Sequence, residues 1–424
     1  MRILLIAIDG LGDRPVKRGK TPLQLAKTSN LDKLAKSGIN GISYPVGIGL
    51  VPGSDTGHLS LLGYDPEQFY VGRGVLEALG SGVKLYEGDL AFRCNLATVD
   101  SKFNVTDRRA GRPDERTVAE LAKAIANVST KEFTFLFSHT KGHRGVLIVR
   151  SKFANPMVSD IDSHNTGPTA WAKPLDQSDD ARKTADALND WLKKVHQILK
   201  SHPINKDRAK KKLPEANFIL TRGASMLVEG QPHKGAVYSG PYGKNVRIQK
   251  FSERYGMGAA CVAGGALYKG VARYLGMEII DVKGATANVD TDLNAKVSAS
   301  ISALKNNDFV FLHIKGTDVA GHDGDWQKKM KFIERIDKAI APLLKLKDTI
   351  IVVTADHSTS CALKAHSADP VPIVIWAPEG MVRVDGVNKF DEISAPHGGL
   401  GRIKHKNVMP ILLGILGKAP MYGT

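Results

Sequence analysis

Four apolar runs stand out along the chain: "ILLIAID" at 3–9, "FVFLHIK" at 309–315, "TIIVVTAD" at 349–356 and "VPIVIWAP" at 371–378. Each is continuously apolar rather than alternating, and each ends in turn residues. Such runs predict strands covered on both faces, as in a mostly parallel sheet. In "TPLQLAKTSNLDKLAKSG" and "WQKKMKFIERIDKAIAPLL" the apolar positions recur instead every three or four residues, which predicts amphipathic helices packed on that sheet. The pattern is that of a doubly wound α/β domain.

The middle of the chain reads differently. "DLAFRCNLATVD", "FNVTDRRAG" and "RGVLIVRS" look like antiparallel strands, interrupted by helical stretches near 115–128 and 178–201. We therefore expect an inserted α+β cap domain over 81–249, within a parent domain formed by 1–80 and 250–424. A chain of 424 residues exceeds what one hydrophobic core usually serves, which fits a two-part organisation.

Composition narrows the function classes. Hydrophobic content of 42% with 24% charged residues is that of a globular chain and excludes disorder. No run approaches the roughly 20 apolar residues that span a bilayer, and "MRILLIAIDG" reads as a buried strand rather than a signal peptide, so a cytoplasmic protein with no membrane partner is expected. Cys94, Cys261 and Cys361 are too scattered for a disulfide framework or a thiolate metal site. The net charge of +16 raises nucleic acid or an anionic metabolite as partner. The densest basic run, "KDRAKKK" at 206–212, has no interleaved aromatics for stacking on bases; it is read as a solvated surface loop, and no nucleic-acid partner is expected.

Candidate chemistry gathers where the predicted strands stop, which is where ligands bind in parallel α/β sheets. Asp9 closes the first run; Asp318 and His322 follow the second in "KGTDVAGHDGD"; Asp356 and His357 close the third; His366 lies soon after in "KAHSADPVP". Taken singly, a strand-terminal Asp is a helix cap and a lone His a satisfied polar group. Taken together, these oxygen and nitrogen donors predict a pair of divalent cations, which would clamp a nucleophile and phosphoryl oxygens. Asp318 and His322 are four residues apart, on one face of a helical turn. In "VPGSDTGHLSLLGYDP" at 51–66, Ser54, Asp55, Thr56 and His58 crowd behind a Pro-Gly pair; such a cluster is either a turn with a helix cap, Ser54 being the N-cap at a helix start that also favours a phosphate, or the seat of a nucleophile. His58, one turn on, either orients the site or packs beneath it.

These stretches, with "DGLGDRP", "GRGVLEALG", "DRRAGR", "GHRGVLIV", "DIDSHNTG", "TADHSTSC" and "GGLGRI" in the same order, make the chain resemble the 2,3-bisphosphoglycerate-independent phosphoglycerate mutases of archaeal type, within the alkaline phosphatase superfamily. The resemblance implies an alkaline-phosphatase-like fold and interconversion of 3- and 2-phosphoglycerate, in glycolysis and gluconeogenesis, without added 2,3-bisphosphoglycerate. It implies that Ser54 is both nucleophile and metal ligand. One ion (Mn2+, Mg2+, Co2+ or Zn2+) would be held by Asp9, Ser54, Asp356 and His357, and a second by Asp318, His322 and His366. Ser54 would carry the phosphoryl group between the two hydroxyls of glycerate while the cap excludes water. Cap cations expected to hold the small-molecule substrate are Arg93, Arg109, Arg112, His143, Arg144 and Arg222. Asp162 and His164 would serve acid–base chemistry or build a polar turn, and Lys315 would add positive charge at the phosphate. A metal-dependent phosphomonoesterase or another phosphotransferase of the superfamily is the alternative. The cap does not match the glycerate-gripping residues of bacterial-type enzymes one for one, and His397 has no expected role.

Overall fold

The computed structural model describes all residues except 131, 164, 227–247, 422 and 424. Within the described residues the apolar runs pair as one eight-stranded sheet. Its order is Glu278–Ile279, Ala259–Val262, Phe309–Ile314, Arg2–Ile8, Thr349–Thr354, Val371–Trp376, Ile39–Tyr44 and Gly401–Lys404. Arg2–Ile8 lies at the centre, parallel to both neighbours, with Ile3 to Ile8 wholly out of contact with solvent. Leu4, Ile6 and Ile8 share a core with Phe332, Ile333 and Ile336 of the helix Trp326–Ala339, so the apolar stripe of that helix covers the sheet.

Only Val371–Trp376 runs against its neighbours in that sheet. A parallel return needs a long crossover, usually helical. Here the chain between Thr354 and Val371 instead forms the small antiparallel pair Ser358–Ser360 and Ala365–Ser367, so the next strand enters from the opposite end.

The chain divides into two compact units, Met1–Phe69 with Ile248–Thr424, and Tyr70–Arg247. The first boundary therefore falls before the expected residue 81. The cause is the helix Arg73–Gly80, which packs on the insertion's own strands: the Val75 amide donates to Ser225 Oγ at 2.9 Å, and a Cβ at Gly74 would strike the Ala91 carbonyl. The insertion is built on an antiparallel sheet in which Leu90–Val99 pairs with Arg144–Arg150 on one side and Phe218–Met226 on the other. The helices Glu115–Ala124 and Asp179–Ser201 supply its second layer, where Trp191 stacks on Phe135 with ring centroids 5.4 Å apart.

The basic run at 206–212 is corrected by the structure. Most of it lies on a helix, Pro203–Lys210, rather than a loop. Pro203 is preorganised for the first helical turn, and Lys and Arg are good helix formers, so charge density alone did not argue against a helix. No helix among the described residues is long and apolar enough to cross a membrane.

Candidate functional site

The carboxyl ends of three neighbouring central strands deliver the predicted residues to one place. Asp9 follows Arg2–Ile8, Lys315 and Asp318 follow Phe309–Ile314, and Asp356 and His357 follow Thr349–Thr354. Ser54 is the first residue of the helix Ser54–Leu61. That helix approaches the strand ends closely because Gly57 has no side chain: a Cβ there would lie 2.5 Å from the Asp356 carbonyl oxygen.

The geometry around His357 is the centre of the cluster. Its Nε2 lies 3.1 Å from Ser54 Oγ, 3.2 Å from Asp356 Oδ2 and 3.5 Å from Asp9 Oδ1. His322 Nε2 and His366 Nε2 each lie 3.4 Å from Asp318 Oδ1, and the His357 and His366 rings stack at 3.7 Å. The tautomers follow from the partners on the other ring nitrogen. His366 Nδ1 meets the Pro52 carbonyl at 2.9 Å and His322 Nδ1 the Lys364 carbonyl at 3.0 Å; a carbonyl only accepts, so both nitrogens carry hydrogen. Thr359 Oγ1 donates its single hydrogen to Asp318 Oδ1 at 2.7 Å and so accepts from His357 Nδ1 at 3.1 Å. In their neutral forms all three imidazoles therefore turn Nε2 lone pairs toward buried carboxylate oxygens. Acceptor facing acceptor calls for a proton or a cation between them.

The charges agree. Asp9, Asp318 and Asp356 are all buried, and the compensating ammonium among them is Lys315, 2.7 Å from Asp318 Oδ2 and 3.3 Å from Asp9 Oδ2. Burial alone would raise the Asp9 and Asp318 carboxyls, but Lys315 holds both well below the usual range. Asp356 is left over: burial and then the Asp9 charge push its carboxyl well up, and its Oδ2 accepts no hydrogen bond, although His58 Nδ1 stands 3.2 Å away. Burial, then His366, holds His357 neutral, so its Nε2 lone pair is available to the Ser54 hydroxyl or to a cation. Three triples of donors converge within 4.8 Å here among the described residues: Asp9 with Asp356 and His357, Asp318 with His357 and His366, and Asp9 with His58 and His313. These residues fit divalent cations by burial, donor type and unmet charge.

Sequence reasoning missed part of this cluster. His313, within the strand Phe309–Ile314, donates from Nε2 to Asp9 Oδ2 at 2.8 Å and stacks on Tyr268 with centroids 3.5 Å apart. Its signal was a lone imidazole in an apolar run. His58, left open between two roles, donates from Nδ1 to the Ser54 carbonyl at 2.5 Å and lies wholly buried, bracing the first turn of the helix that carries Ser54.

The insertion holds a grouping of its own. Arg109, Arg112, Arg144 and His143 share one electrostatic neighbourhood: burial and the three guanidiniums push the His143 imidazole down to about 4. Among the described residues no carboxylate makes an ion pair with Arg109, Arg112 or Arg144. Asp107, whose charge acts on Arg109 and His143, spends its oxygens on the amides of Arg109 and Gly111. Other expected residues of the insertion have partners of their own. Arg93 and Arg222 occupy paired strand positions, and Arg93 Nε lies 3.3 Å from Glu77 Oε1. Asp162 is buried in an ion pair with Arg108, 2.7 Å away, and accepts from Asn95 at 3.1 Å. Arg108 had not been singled out from the sequence. His164 lies outside the described residues, and His397 is exposed on the short turn Ala395–His397.

Sheet order, the helix-borne serine and its setting at the carboxyl edge place the chain among the alkaline-phosphatase-like α/β enzymes, and residues 281–400 match the family model described as alkaline phosphatase. Residues 35–205 match the model described as 2,3-bisphosphoglycerate-independent phosphoglycerate mutase. The chain is 45% identical to 2,3-bisphosphoglycerate-independent phosphoglycerate mutase 1 of Methanocaldococcus jannaschii, across 100% of this chain and 99% of that protein. The mutase of Methanococcus vannielii is 43% identical, with 100% of both chains covered. Among solved structures, the cofactor-independent phosphoglycerate mutase of Thermoplasma acidophilum superposes with a TM-score of 0.66 at 37% identity, covering 98% of this chain and 99% of that one. A Pyrococcus horikoshii protein superposes at 0.83 with 36% identity, covering 100% and 99%. The chain belongs to the 2,3-bisphosphoglycerate-independent phosphoglycerate mutase family.

Proposed function

We propose that this chain interconverts 3-phosphoglycerate and 2-phosphoglycerate through a phosphoserine at Ser54, without 2,3-bisphosphoglycerate. The observation that carries the reading is the serine hydroxyl 3.1 Å from an imidazole lone pair that also faces two buried carboxylates. Asp9, Ser54, Asp356 and His357 would hold one divalent cation, and Asp318, His322 and His366 a second, from among Mn2+, Mg2+, Co2+ and Zn2+. Bound there, the cations would lower the pKa of the Ser54 hydroxyl and neutralise charge on the phosphoryl oxygens.

The chain's own groups do the rest. The N-terminal turn of Ser54–Leu61 presents amide hydrogens to the phosphoryl group. Ser54 Oγ attacks phosphorus, the bond to the glycerate 3-oxygen breaks, and the proton lost by Ser54 ends on that oxygen. Glycerate turns, its 2-hydroxyl attacks the phosphoserine, and its proton returns to Ser54. Lys315, held between Asp9 and Asp318, keeps positive charge beside the phosphoryl oxygens. Arg109, Arg112, Arg144 and His143 would hold the substrate's anionic groups, with planar guanidiniums suited to carboxylate and phosphate.

The test is an enolase-coupled assay on chelator-treated protein, with single metals restored and no 2,3-bisphosphoglycerate present. Mutase turnover that returns with metal, releases little free phosphate and vanishes in Ser54→Ala is the expected result. Phosphate released at the rate of turnover would make the chain a phosphomonoesterase instead.

A further inference from the structure

The turn that carries Arg109 and Arg112 is strained. Ala110, Gly111 and Arg112 follow one another at φ of 49°, 67° and 50°, a left-handed stretch in which two of the three residues carry a side chain. L-residues avoid this region because Cβ crowds the following carbonyl, so such a turn persists only where its surroundings over-determine it. Part of the restraint is local. Asp107 accepts from the Arg109 amide at 2.7 Å and the Gly111 amide at 2.8 Å, and the Arg112 amide donates to the Arg109 carbonyl at 2.8 Å.

The rest comes from the basic helix Pro203–Lys210. Arg208 is its buried basic residue: Nη2 donates to the Ala110 carbonyl and Nε to the Pro214 carbonyl, both at 2.9 Å. Pro214 in turn lies under Gly111, where a Cβ would sit 3.0 Å from its ring. No carboxylate pairs with Arg208 among the described residues; a guanidinium is spent on two backbone carbonyls. Its rigid fork can hold both at once, whereas an ammonium is a single point of charge on a flexible stem. The helix itself is anchored independently of the turn. Buried Asn205 donates to the Leu199 and Ala216 carbonyls at 2.8 and 2.9 Å and accepts from the Ala216 amide at 2.9 Å.

We infer that Arg208 is a positioning residue for substrate binding: through the Ala110 carbonyl it holds the strained turn in the one conformation that presents Arg109 and Arg112 together as an anion site. This gives the 206–212 basic run a task, and it rests on the reading of Arg109 and its neighbours as the substrate's anion site.

The experiment measures KM and kcat for 3-phosphoglycerate, with melting curves, in metal-loaded wild type, Arg109→Ala, Arg208→Met, Arg208→Lys and Asn205→Ala. Arg109→Ala is expected to raise KM by about tenfold or more, the loss of charge-assisted contacts. Arg208→Met raises KM by about tenfold with kcat within about threefold, the mark of lost ground-state binding, and Arg208→Lys recovers part of it. Asn205→Ala melts earlier yet keeps KM within about twofold, which separates anchoring the helix from shaping the turn. An Arg208→Met protein that melts earlier but retains the wild-type KM would overturn the inference. If Arg208→Met does not fold, Arg208→Lys decides: a raised KM supports the inference and an unchanged one overturns it. Should Arg109→Ala leave KM unchanged while Ser54→Ala abolishes turnover, the anion-site reading and this inference fall together, and the nucleophile assignment stands.

Discussion

The two clusters in this chain carry opposite deficits. At the carboxyl edge of the large sheet, Asp9, Asp318 and Asp356 are buried around one ammonium, Lys315, with imidazole lone pairs turned onto them. In the insertion, Arg109, Arg112 and Arg144 crowd a His143 that they help keep neutral, and no carboxylate forms an ion pair with any of the three among the described residues. One site lacks cations and the other lacks anions. An uncompensated buried charge costs stability, so the deficit of the acid cluster persists where a ligand removes it; Arg109, Arg112 and Arg144 are exposed, and there the missing counter-charge costs little while water solvates them. The contrast teaches that the net charge of +16 is a poor guide to function, since the chemistry lies in two local imbalances of opposite sign.

That contrast can be broken most forcefully at Ser54. Ser54→Ala should lower mutase turnover by about 10^4-fold or more, as removal of a nucleophile does, while leaving the insertion's anion binding intact. Next in size, Arg109→Ala should raise KM by about 10- to 100-fold and leave the metal-induced rise in melting temperature unchanged, because it touches only the anion-seeking cluster. The acid cluster answers to the converse change. Ionised Asp356 is disfavoured in the fold by burial and by Asp9, so Asp356→Asn should raise the melting temperature of metal-free protein by about 2–4 °C. The same variant should lose most of the stabilisation that Mn2+ gives the wild type, measured by thermal shift with and without chelator. The smallest effect concerns His143. Its folded value of about 4 lies below the ordinary value near 6.5. Between those values the unfolded chain holds a proton that the folded chain does not, so stability is lost as pH falls from about 6.5 toward about 4. His143→Gln should flatten that part of the stability–pH curve and leave the part above pH 7 unchanged.

Much of the fold was legible because strands covered on both faces are written as unbroken apolar runs, as at 3–8 and 349–354. The reversed direction of Val371–Trp376 was not, since direction is set by the connection and the hydrophobic pattern is the same either way. The acid and imidazole residues were legible because they stand where apolar runs stop. His313 and Thr359 were not: a single polar residue within or beside a strand gives no sign of which buried neighbour it meets. In the insertion, the pairing of Arg108 with Asp162 and the hold of Arg208 on Ala110 join segments 54 and 98 residues apart, and no local spacing announces them. The basic run was misread as a loop because charge density masked a good helix start at Pro203.

The most direct test is acid quenching of metal-loaded protein during turnover with 3-phosphoglycerate, followed by mass spectrometry of the peptide spanning 51–66. The account predicts one phosphoryl group on Ser54, formed and discharged at rates that sustain turnover, and absent from chelator-treated protein. Full mutase turnover with Ser54 unmodified at every quench time, or with phosphate captured on another residue, would contradict it.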